Sequence, residues 1–107
     1  MDDKRRYPRY PFKEAVGYEN RRGEYQGSIG QDVSRGGVCL TVNEFVPVGA
    51  VLEVNMFVGM PPRVVLAQGK VVWVREIAYG DRFEIGVEFF NPVDIIDKLK
   101  GYFQSLN

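Results

Sequence analysis

The chain has 107 residues, 45% of them hydrophobic and 26% charged, with a formal net charge of zero. That length and composition fit one ordinary globular domain with a self-sufficient core and exclude a disordered polyelectrolyte. Balanced charge also argues against a nucleic-acid polymer as partner, because affinity for a phosphate backbone needs many uncompensated cations.

The charge is unevenly spread. Lys4, Arg5, Arg6, Arg9, Lys13, Arg21 and Arg22 make up half of the 14 basic residues. This leaves the amino-terminal end locally positive, which suits a compact anion better than a long polymer. The opening Met1 to Arg6 lacks the hydrophobic segment of a signal peptide, and no apolar run approaches the ~18 residues of a membrane span. A cytoplasmic protein without a membrane span is therefore expected.

Residues 1–13 read as a flexible basic arm. Tyr7-Pro8 and Tyr10-Pro11 favour extended backbone, since proline fixes its own φ and pushes its predecessor away from the helical region. In a strand-like arm Arg5 and Arg9 share one face, about 13 Å apart. Polyproline geometry would turn them away from each other, and taken alone the segment reads as a solvated tail.

Residues 14–90 carry strand signals. Ala15 to Tyr18 is a short strand, followed by a charged turn over residues 19–23. Glu24 to Val33 is a second strand in which Gly27 and Gly30 suggest a bulge or sharp curvature. Gly37 to Val42 resumes an apolar run, Pro47-Val48-Gly49 is a turn, and Val51 to Val58 alternates with Leu52, Val54, Met56 and Val58 inward. Val64 to Val74 reads as a strand bent near Gly69. Phe83, Ile85, Val87 and Phe89 give a clean period of two.

Residues 91–106 change period. Asn91 suits a helix cap, Pro92 the first helical position and Asp94 the first turn, and Ile95, Ile96, Leu99 and Leu106 recur at helical spacing. Several short strands plus this terminal segment predict a mostly β fold: a small antiparallel barrel with one carboxyl-terminal α-helix.

Asp32-Val33-Ser34-Arg35-Gly36-Gly37 lies between two of these strands. It offers a carboxylate, a hydroxyl and backbone amides free to meet a ligand. As a bare turn it has an ordinary explanation, because Asp and Ser close turns through their own side chains and Gly permits positive φ. The arginines upstream change its meaning. A guanidinium grips phosphate or the Hoogsteen edge of guanine bidentately, and a carboxylate accepts from guanine's Watson–Crick donors. Together they suit a guanine nucleotide with closely spaced phosphates.

Catalysis has little support. The chain contains no histidine, and its single cysteine, Cys39, has no histidine partner and reads as a small buried thiol. No disulfide can form within the chain. No metal-ligating pattern and no phosphate-binding glycine loop of the P-loop or dinucleotide type is present. No enzyme activity, catalytic residue, metal or cofactor is expected. Trp73 has two readings: a core indole, the ordinary role, or an aromatic bordering the ligand.

The spacing Arg5-x-x-x-Arg9 followed by Asp32-x-Ser34-x-x-Gly37 resembles the PilZ domain, the bacterial receptor module for cyclic di-GMP. Gly69 to Val74 and Gly86 to Phe89 also resemble that family's closing strands. The resemblance implies a six-stranded barrel with a carboxyl-terminal helix and cyclic di-GMP as ligand. It implies that Arg5 and Arg9 contact guanine and phosphate, with Arg6 as a further contact. Asp32 would bond a base, Ser34 would orient phosphate or the turn, and Gly36 and Gly37 would let the backbone approach closely. Trp73 would border the site, and a downstream effector protein would read the liganded state. Two alternatives stay open: a PilZ-like domain that contacts only proteins, and a small barrel that binds single-stranded nucleic acid through Arg and aromatic platforms.

Overall fold

A computed structural model describes residues 9–20, 22–34, 36–59, 61–78, 80–92, 95, 98 and 99. Arg5, Arg6 and most of the expected terminal helix lie outside the described residues. Among the described residues there are seven strands: β1 (Tyr10–Pro11), β2 (Ala15–Glu19), β3 (Tyr25–Val33), β4 (Gly37–Val42), β5 (Val51–Val58), β6 (Arg63–Ala78) and β7 (Arg82–Phe89). The order β3-β2-β5-β6-β7-β4 closes on itself through a β3–β4 pairing, which makes a six-stranded antiparallel barrel. The two-residue β1 pairs with the end of β3, with Tyr10 opposite Val33 and Pro11 opposite Asp32.

Alternation explains which side chains fill the barrel. Leu52, Val54, Met56 and Val58 of β5 are buried, as are Ile85, Val87 and Phe89 of β7, and residues between them face outward. Val16, Tyr18, Val33, Leu40 and Val42 also line the interior, with Phe12, which is fully buried although it lies beyond β1. Gly30 makes room for Phe12: a Cβ there would sit 2.4 Å from the Phe12 carbonyl oxygen and 2.6 Å from its ring. Tyr10 and Pro11 are thus paired in the sheet and Phe12 is packed in the core. At the other end Pro92, Ile95, Lys98 and Leu99 have helical backbone, and the Ile95 amide donates to the Asn91 carbonyl at 3.3 Å. Ile95 and Leu99 join the core.

Of three register shifts among the described strands, the third lying between Glu76 and Ala78, two decide what the outer surface presents. In β3 the register against β4 shifts between Gly30 and Asp32, leaving Gln31 as the extra residue. In β6 the register against β7 shifts between Val71 and Trp73, leaving Val72 extra. A bulge breaks strict alternation. Gly30 is paired with the buried Leu40, whereas Asp32 is paired with Cys39, whose strand neighbours Val38 and Leu40 point inward. Val71 lies in the core, but Trp73 is paired with Gly86, between the inward Ile85 and Val87. Without the bulges both Asp32 and Trp73 would fall on the inner face. With them, both turn out.

Candidate functional site

The register aligns Asp32, Cys39, Gly86 and Trp73 in one row across β3, β4, β7 and β6. Pro11 of β1 extends the row beside Asp32. Thr41, Glu84 and Arg75 form the neighbouring row on the same face. Arg9, just before β1, is carried to the edge of this surface. Its Nη1 donates to Asp32 Oδ1 at 3.1 Å, with each side chain about one-third exposed (34% and 31%). Arg9, Asp32, Cys39, Trp73, Arg75 and Glu84 line one open depression of about 420 Å³.

The floor is built by close approach. A Cβ on Gly86 would lie 2.1 Å from Trp73 Nε1, so the indole rests on the bare backbone of β7. Trp73 is half-buried in that position. Its expected ordinary place in the core is corrected here by the Val72 bulge. Cys39 is buried beside it, at 5% exposure, yet outside the core cluster, so its thiol lies under the site. Burial foremost, then the charges of Asp32 and Glu84, push that thiol up to about 12; Arg9 and Arg75 pull the other way.

The connection after β3 is tight. Ser34 N–H donates to the Gly37 carbonyl at 2.9 Å, and Gly36 N–H donates to Ser34 Oγ at 3.1 Å. Phe89 N–H donates to the Gly36 carbonyl at 2.8 Å, tying the turn to β7. Ser34 therefore shapes the turn in this structure. Gly37 does not adopt a positive φ; its glycine is required because a Cβ would meet the Val87 carbonyl oxygen at 2.1 Å. The backbone that crowds Gly37 is the barrel's own.

Of the sequence-predicted residues, the structure brings Arg9, Asp32 and Trp73 into one cavity. Ser34, Gly36 and Gly37 lie on the adjoining turn, and Arg5 and Arg6 lie outside the described residues. Sequence reading missed Arg75, Glu84 and the placement of Cys39. Arg75 follows Trp73 by two, so whichever face holds the indole holds this guanidinium too. Among the described residues no group of three potential metal ligands is found, and no helix is long and apolar enough to cross a membrane.

A second depression, of about 500 Å³, lies where the β2–β3 hairpin meets the β4–β5 loop and includes Asn20, Arg22, Glu44 and Phe45. Its larger size does not make it the better candidate. Glu44 Oε2 accepts from the buried Tyr18 hydroxyl at 2.6 Å and from Asn20 Nδ2 at 3.2 Å, and Arg22 lies 3.5 Å from its other oxygen. That carboxylate holds the hairpin to the loop.

Against known proteins, residues 3–105 match the family model described as PilZ domain. None of the curated proteins is significantly similar in sequence. Among solved structures, the PilZ domain of YcgR from Escherichia coli, with c-di-GMP, is similar at a TM-score of 0.78 and 15% identity, over 97% of this chain and 92% of that one. The MrkH–c-di-GMP complex from K. pneumonia is similar at 0.78 and 18% identity, over 99% of this chain and 53% of that one. The Bacillus subtilis inhibitor of motility MotI/DgrA is similar at 0.74 and 12% identity, over 97% and 53%. The chain thus spans about half the length of the latter two. At such identities the likeness is one of fold.

Proposed function

This chain belongs to the PilZ domain family, and on that footing we propose that it is a receptor module for cyclic di-GMP, binding the nucleotide rather than transforming it. The observation that carries the reading is the meeting of Arg9 and Asp32, 23 positions apart in sequence and 3.1 Å apart in space, over a depression that also holds Trp73. Two of the similar structures, YcgR and MrkH, contain c-di-GMP.

The chemistry fits both parts of the ligand. Arg9 offers its fork to a phosphate or to guanine N7 and O6. Asp32 accepts from the guanine Watson–Crick edge. Trp73 supplies a face for a base, a stacking contact of about 1–3 kcal/mol. An ion pair as exposed as Arg9–Asp32 is worth only about 0–1 kcal/mol. Charge-assisted hydrogen bonds to the ligand contribute about 1.5–3 kcal/mol each, so exchanging the pair for ligand contacts is favourable. Arg5 and Arg6 add further cations from the preceding segment, and Ser34, Gly36 and Gly37 hold the turn against the ligand. A downstream effector protein in the cytoplasm reads the liganded form.

Calorimetric titration with cyclic di-GMP tests this. The wild type is expected to bind, and Arg9→Ala and Asp32→Ala are each expected to lose tenfold or more in affinity, about 1.4 kcal/mol at the least. Circular dichroism of both variants should match the wild type. Unaltered affinity in both folded variants would refute the assignment.

A further inference from the structure

The site holds a second guanidinium–carboxylate pair that mirrors the first. Arg75 Nη2 donates to Glu84 Oε1 across β6 and β7, one row from Trp73 and Gly86. Arg75 is 67% exposed, whereas Glu84 is 18% exposed. Arg9–Asp32 and Arg75–Glu84 line the same depression, with Trp73 on its floor. Neither strand needs the second pair for its packing, since both side chains stand on the outer face, away from the core.

We propose that Arg75 is a ligand-binding residue of this site and that Glu84 holds it in place while the site is empty. This inference rests on the reading of the site as a cyclic dinucleotide receptor. The ligand has two phosphates and two guanines, more than the one guanidinium of Arg9 can meet. Arg75 supplies a planar fork for the other part, one row along β6 from the indole. On binding, the guanidinium leaves Glu84 for a phosphate, a better partner because the contact is bidentate. Glu84 sets the threshold: it competes for Arg75 and places a negative charge beside an incoming anion. Arg75 is displaceable because its own side chain is mostly solvated, and solvent screens its attraction to Glu84.

Titration of four proteins with cyclic di-GMP tests the assignment: wild type, Arg75→Ala, Glu84→Gln and the double variant, each checked by circular dichroism and thermal unfolding. Arg75→Ala is expected to bind about tenfold more weakly. Glu84→Gln is expected to bind severalfold more tightly, and most of that gain should vanish when Arg75 is also Ala, the signature of coupled residues. If the wild type does not bind, the receptor reading falls and this inference with it. If the wild type binds and Arg75→Ala binds equally well, the inference alone falls. A Glu84→Gln gain that persists undiminished without Arg75 would mean plain repulsion and would overturn the holding role.

Discussion

Cys39 and Tyr18 are the two described side chains whose acidity the fold clearly changes, and they lie in different parts of the barrel. Cys39 sits under the candidate site, and its thiol is pushed from 9.0 up to about 12, first by burial and then by Asp32 and Glu84. The thiol form therefore dominates in the folded protein at neutral pH, and thiolate is the reactive species. A thiol reagent at pH near 8 is expected to leave the native protein unmodified and to label it promptly once denatured; fast native labelling would contradict the burial of Cys39.

Tyr18 is raised above its usual 10.0 by burial, then by its hydrogen bond to Glu44 and that carboxylate's charge. For both groups the folded state favours the proton more than the unfolded chain does. Their contribution to stability is complete below the unfolded values of 9.0 and 10.0, and it is lost as pH rises through the folded ones. The thermal midpoint is expected to fall on the alkaline side, beginning near the thiol's unfolded value. Tyr18→Phe should be less stable than wild type near neutrality by about 1–3 kcal/mol, because it removes a donor to a carboxylate. The same variant should lose less stability than wild type on going to alkaline pH. Thermal unfolding across a pH series measures both effects.

At the scale of elements, the two bulges explain what could and could not be read from the sequence. β5 was legible to the residue, and β7 nearly so, because each alternates without interruption; β4 was legible in its bounds as an apolar run, in which the outward Cys39 is buried as well. In β6 the odd positions Val65, Ala67 and Val71 are buried, so unbroken alternation sends Trp73 into the core. The Val72 bulge reverses it. In β3 the glycines announced an irregularity, yet nothing in the chain marked Gln31 as the extra residue that turns Asp32 out. The meeting of Arg9 and Asp32 was legible by type and spacing; Arg75 could be read only from its place two residues after Trp73, and Glu84 only through the register of β7 against β6. Phe12 was hidden in a stretch dominated by charge and proline.

Two outcomes belong to this scale. Phe12→Ala is expected to cost about 3–5 kcal/mol of stability, as for other large buried aromatics, and to weaken nucleotide binding as well, because it releases the chain that positions Arg9. Denaturant unfolding and titration measure these together. Gly86→Ala puts a methyl group where the indole rests and should displace Trp73. As Trp73 is the only tryptophan, a red-shifted emission spectrum reports its displacement, and an unshifted spectrum would mean that the ring lies elsewhere.

At the scale of the whole molecule, the described residues form a closed barrel with an apolar core, and the candidate ligand chemistry lies on one outer face and the turn beside it. Closure leaves the six strands without a free long edge, so ligand binding is expected to act on side chains and on the chain ahead of Tyr10 rather than on sheet pairing. Whatever binds only the folded state also raises its stability, by about 2.7 kcal/mol at a ligand concentration one hundred times the dissociation constant. The measurement that bears most directly on the account is an amide-resolved NMR titration with cyclic di-GMP. Saturable shifts should centre on Arg9, Asp32 to Gly37, Trp73 and Gly86, with the Trp73 indole N–H among the largest. Resonances that stay unmoved at saturating nucleotide, or that move only around Asn20, Glu44 and Phe45 at the other depression, would contradict it.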